Sequence, residues 1–133
     1  MPRFLVAVSE LQAQVDPLSG DMWKCAPIPI DEVKAAMAAG KNCDVSWAVA
    51  GHEMPVELQR EFHVRRIAWL AMQPVTDGDH PIMVAIAPDR VWVYDGNHRI
   101  AAAIVRGEMS LEIAIAPFEA DAVARTFPSA TAI

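Results

Sequence analysis

The residues best equipped for chemistry stand together at Asp95-Gly96-Asn97-His98-Arg99. Gly96 admits unusual backbone torsions and lets a ligand approach the chain closely. The run that follows, Ile100-Ala101-Ala102-Ala103-Ile104-Val105, predicts a helix from about Asn97 to Arg106, closed by Gly107. A helix start carries N–H groups without intrahelical acceptors and the positive end of the dipole, so it suits an anion. His98 and Arg99 stand in that first turn, where positive charge opposes the dipole, and a bound anion would resolve the conflict. Arg99 suits bidentate phosphate binding, and His98 can donate one bond or shuttle a proton. A plainer reading stays open here: Asp95-Gly96 as an ordinary turn, Asn97 as an N-cap and Arg99 paired with Asp95.

Other residues qualify for supporting roles. Asp95 and Glu53 are the carboxylates best suited to hold Mg²⁺ or to act as a base, since a hard cation needs oxygen ligands near phosphates. His80 directly precedes a strand beginning near Pro81 and is a candidate to line the same cleft. Arg65, beside Arg66, falls on an apolar helical stripe; ligand contact, ion pairing and snorkelling all fit that position. His63 reads as a surface or packing residue, and His52 receives no role. Trp23, Trp47, Trp69 and Trp92 are spread evenly, which fits core packing better than a base-stacking platform.

The elements that position these residues are clearest after Pro55. A helix runs from there to about Met72, where Gln73-Pro74 stops it. Leu58, Phe62, Trp69 and Met72 form one apolar line with Arg65, and Val64, Ile67, Ala68 and Ala71 form a second. Thr76–Asp79 is a turn, Ile82–Ala87 and Val91–Tyr94 read as buried strands, and Leu111–Ile115 as a final strand. Residues 117–133 read as a short helix with a frayed tail. Residues 1–54 are less legible: a strand at Phe4–Val8, turns at Asp16-Pro17 and Ser19-Gly20, a short edge strand at Ile28–Ile30, and a helix Glu32–Ala39 capped by Asp31. Segment 41–54 is strand or loop.

The bulk properties narrow the setting. With 133 residues the chain is expected to form a single domain, 1–133. An apolar share of 53% against 21% charged excludes wholesale disorder. A net charge of −6 argues against a protein that coats DNA, because that requires clustered Lys and Arg. No apolar run reaches the roughly 18 residues of a membrane span, and the short run at the start does not read as a signal peptide. With only Cys25 and Cys43, which read as buried, reduced thiols, a cytoplasmic location is expected.

Val93 to Ala103, with His80-Pro81-Ile82-Met83-Val84 upstream, resembles the core signature of the ParB/sulfiredoxin superfamily, in which a Pro-Ile-x-Val strand precedes a G-x-H-R-x-x-A turn and helix. Gly96, His98, Arg99 and Ala102 match it, and the resemblance spans about residues 55–116, leaving 1–54 divergent. It implies an α/β (α+β) fold, a small mixed β-sheet with flanking helices, and a nucleoside triphosphate such as ATP or CTP held with Mg²⁺ at the turn. In that scheme Gly96, Asn97, His98 and Arg99, helped by Arg65 and His80, hold phosphate. His98, Asp95 and Glu53 serve catalysis, with Asp95 on the metal. Sulfiredoxins use a cysteine where this chain has Asn97, so sulfinic acid repair is not expected. Partition ParB proteins add a DNA-reading domain, for which the about 30 residues after the turn leave no room. A nucleoside triphosphatase or phosphotransferase is the leading expectation. The alternatives are a ParB-like DNA nuclease, or a non-catalytic inhibitor or adaptor of a phage or mobile element that binds a protein partner.

Overall fold

Apolar side chains at alternating positions of Arg3–Ala7 give the first strand, β1, with Phe4 and Val6 turned into the core. The computed structural model describes residues 2–74, 81–116 and 118–133. The Thr76–Asp79 turn and His80 therefore lie outside the described residues. Helix α1 (Val8–Gln14) follows β1 without a loop and buries Val8 and Leu11. Two 3₁₀ turns, Pro17–Ser19 and Asp21–Trp23, lead through an extended stretch to α2 (Ile30–Ala38). Then come α3 (Trp47–Ala50), a 3₁₀ turn at Gly51–Glu53 and the long α4 (Val56–Met72). The second half holds β2 (Ile82–Ile86), β3 (Val91–Asp95), α5 (Asn97–Arg106), β4 (Ser110–Ile115), α6 (Ala120–Thr126) and β5 (Thr131–Ala132).

The expected small α+β architecture is present. Five strands form one mixed sheet in the order β3-β2-β4-β1-β5. β2 and β4 run parallel, and the other neighbours run antiparallel. The parallel pair requires a crossover, and α5 lies within it, packed between the sheet and α4. Ile100 to Val105 are all buried, as a helix covered on two sides must be. One apolar cluster joins Phe4, Leu11, Val33, Ile67, Ile100, Ile113 and Phe127, so both halves of the chain build the same core.

Several sequence expectations are corrected. Ile28–Ile30 is not a strand: Ile28 is buried, its N–H donates to the Leu18 carbonyl at 2.8 Å, and Ile30 already belongs to α2, whose N-cap is Pro29 rather than Asp31. Segment 41–54 is neither strand nor plain loop but holds α3 and a 3₁₀ turn. On α4 the buried line is Val64, Ile67, Ala68 and Ala71, whereas Leu58 and Met72 of the other line are exposed. β3 lies at the sheet edge and is only partly buried. The tail does not fray: β5 pairs with β1, and Ser129 binds Glu10 Oε1 through its N–H at 2.9 Å and its hydroxyl at 2.8 Å. Cys25 and Cys43 are free thiols, each half-buried rather than buried. Among the described residues, no helix is long and apolar enough to cross a membrane.

Candidate functional site

β3 delivers the chain to Asp95, and α5 starts two residues later. Gly96 makes that reversal with φ of 117°, a left-handed torsion that side chains resist. A Cβ at Gly96 would stand 2.8 Å from Cγ1 of Ile82, so glycine also lets the turn settle onto β2. The nearest neighbour here is the protein's own core, which is a different use of the glycine from the ligand approach expected of it. Asn97 is the first residue of α5 and not its N-cap; no side chain caps this helix. The first intrahelical bond runs from Ile100 N–H to the Gly96 carbonyl at 2.9 Å, leaving the amides of Asn97 and His98 without intrahelical acceptors.

In front of this turn lies a cleft of about 360 Å³. It is lined by Asp95, Gly96, Asn97, His98 and Arg99, by Arg66 and Leu70 of α4, by Tyr94, and by a wall of Trp23, Ser46 and Trp47 that reaches His98 through the Trp23 ring. Two guanidinium groups against one carboxylate make it locally cationic in a chain of net charge −6. Burial draws the Arg99 pKa down and Asp95 partly restores it. Burial also lowers that of Arg66, whose guanidinium lies 5.0 Å over the Trp69 ring. Asn97 Oδ1 is buried with no hydrogen-bond partner. Its amide can present either an acceptor or, turned over, a donor to a guest.

The His98 ring is engaged from two sides. Its Nε2 lies 2.8 Å from Nδ1 of His63, and Trp23 stacks on both rings at 4.6 and 4.3 Å. Trp47 and Phe62 complete an aromatic enclosure around His63, which is 1% exposed. Burial pushes the His63 pKa down to about 4. Burial, with His63 and Arg66 nearby, pushes that of His98 down to about 3. Both imidazoles are therefore neutral at pH 7, and a single proton lies between their facing nitrogens.

The wall is assembled from the divergent N-terminal part. Gly20, in a left-handed conformation, accepts from the N–H groups of Trp23 and Cys25, both at 3.1 Å. A Cβ there would collide with the Cys25 and Ala26 carbonyl oxygens. Arg60 of α4 then clamps this segment, reaching Glu32 at 2.6 and 2.8 Å and the Pro27 carbonyl at 2.6 Å. Segment 41–46 is tied to α4 as well: Cys43 N–H donates to the Arg65 carbonyl at 3.1 Å, and Arg66 donates to the Cys43 carbonyl at 3.4 Å.

Of the residues singled out in the sequence, Asp95, Gly96, Asn97, His98 and Arg99 meet in the cleft. Arg65 does not: it pairs with Glu61 at 2.8 Å on the outer face of α4, and its neighbour Arg66 enters instead. Glu53 is exposed in its 3₁₀ turn and is not part of the lining. His63, read as a surface or packing residue, is the buried partner of His98. The four tryptophans are partly buried; Trp23 packs against the core, as expected of it, and with Trp47 it also lines the cleft. Among the described residues no group of three or more His, Cys, Asp or Glu is arranged to hold a metal ion. No family model matches the chain, and neither a curated protein nor a solved structure matches it.

Proposed function

We propose that this cleft binds a nucleotide, with the phosphates at the start of α5 and the base against the tryptophan wall. The observation that carries this reading is that a cationic helix start (Arg99, Arg66 and the first amides of α5) and two tryptophans, Trp23 and Trp47, line one cleft. Amides, guanidinium groups and the positive dipole end suit phosphate oxygens, while indole faces suit any base. The buried, unpartnered Oδ1 of Asn97 adds a polar atom for the guest to satisfy. Mg²⁺ fits the same arrangement: it keeps several waters and binds through one or two carboxylates plus substrate phosphates, and Asp95 is the carboxylate at the cleft. The ion would neutralise phosphate charge, and Arg99 would orient the terminal phosphate for hydrolysis or transfer. Neither the nuclease nor the adaptor reading draws on an observation of its own.

The test is a thermal-shift titration with ATP and CTP, each with Mg²⁺. A ligand confined to the folded state and present at a hundred times its Kd stabilises by about 2.7 kcal/mol. The melting temperature is expected to rise with one of the two nucleotides, and the rise to vanish in Arg99→Ala. Flat melting curves with both nucleotides at millimolar levels would overturn the proposal.

A further inference from the structure

We propose that His63 is a positioning residue for the nucleotide site: its Nδ1–H donates to His98 Nε2, which makes neutral His98 a fixed Nδ1–H donor to phosphate. The contact is 2.8 Å and joins α4 to the first turn of α5. Because Nε2 of His98 is occupied by this contact, Nδ1 is the nitrogen left to serve a guest. The His98 ring makes no other hydrogen bond among the described residues, and His98 lines the cleft while His63 does not.

The direction of the shared proton follows from what each arrangement leaves over. If His98 donated, His63, only 1% exposed, would carry its own proton on Nε2, for which the described residues offer no hydrogen-bond acceptor. If His63 donates, its Nε2 is a bare lone pair, and the remaining proton stands on His98 at the cleft, where water or phosphate accepts it. A buried donor without an acceptor is the costlier orphan, so the second arrangement prevails. Trp23 fixes both ring planes, stacking at 14° on His63 and 18° on His98. The charged groups near the pair are Arg66 from α4 and Asp95 and Arg99 beside the α5 start; burial keeps His63 uncharged, and for His98 the neighbouring His63 and Arg66 add to burial. Phosphate thus meets a neutral donor of fixed direction instead of a titrating cation.

This inference rests on the nucleotide reading for its ligand but not for its first measurement. Nitrogen-15 NMR of the ligand-free protein between pH 5.5 and 8 is expected to show His98 as the neutral Nδ1–H tautomer throughout. In His63→Phe, which keeps a stacking ring and removes the donor, that tautomer should lose its dominance. ATP affinity, taken as the ratio to the parent protein at each pH so that the nucleotide's own ionisation cancels, should fall about fivefold at pH 8, the worth of one hydrogen bond. His63→Asn, whose amide nitrogen is as many bonds from Cα as Nδ1, should restore both properties. A parent spectrum showing His98 protonated at Nε2, or a folded His63→Phe protein with unchanged tautomer and affinity, overturns the inference. If the tautomer pattern holds but ATP does not bind the parent protein, the phosphate role of His98 falls together with the nucleotide reading. An abnormal tautomer alongside normal ATP binding sinks the inference alone.

Discussion

Acid should unfold this protein earlier than its carboxylates alone would. Both imidazoles, His63 buried and His98 partly buried, have folded pKa values far below 6.5, at about 4 for His63 and about 3 for His98. The unfolded chain therefore takes up two protons near pH 6.5 that the folded chain refuses until pH 4 or lower. Stability is complete above 6.5 and is lost as pH falls, at up to about 1.4 kcal/mol per imidazole per pH unit. From pH 7.5 to pH 5 the two together remove about 4 kcal/mol, a large share of the 5–15 kcal/mol typical of a domain. Glu32, whose pKa is lowered by its hydrogen bonds from Arg60, adds its own loss only below the ordinary carboxylate value of 4.5. The assay is urea unfolding at pH 7.5, 6.5, 5.5 and 5, comparing the parent chain with His63→Phe/His98→Phe. The difference between their pH profiles isolates this pair from the remaining histidines. It should approach about 4 kcal/mol at pH 5. Parallel profiles would show that the pair is not held neutral by the fold, and the reasoning about its shared proton would fail with it.

Three further outcomes follow from the geometry. Gly96→Ala combines a left-handed torsion with a Cβ 2.8 Å from Ile82, and should cost about 3 kcal/mol in chemical denaturation. Phe127→Ala empties a fully buried site and should cost about 3–5 kcal/mol by the same measurement. Arg60→Ala removes the clamp on Glu32 and Pro27; it should cost about 1 kcal/mol and speed amide exchange at Cys25 and Ile28.

The sequence was legible where local chemistry decides structure. The Asp95-Gly96 turn, the α5 helix and the strands on either side are written in glycine, alanine and β-branched runs, and the five turn residues do meet in one cleft. What escaped were choices made by tertiary contact. Arg65 and Arg66 are one residue apart, yet that step turns a helix by about 100°, enough to put one in solvent and the other in the cleft. Nothing local relates His63 to His98 across 35 positions; only the packing of α4 on α5 does. A histidine on the apolar side of a long helix was the available hint. β3 reads as an interior strand because Val91-Trp92-Val93-Tyr94 has the same residue preferences at an edge as in the middle of a sheet.

Trp23 and Trp47 reach the histidines from stretches that carry no recognisable signature and are held there by Gly20, Arg60 and the backbone of α4. Floor and roof of the cleft are thus encoded separately. Under the proposed nucleotide reading, substitutions in the roof would retune which molecule is admitted without disturbing the turn that holds its phosphates. The same reading lets one turn serve different guests, each selected by the roof set over it.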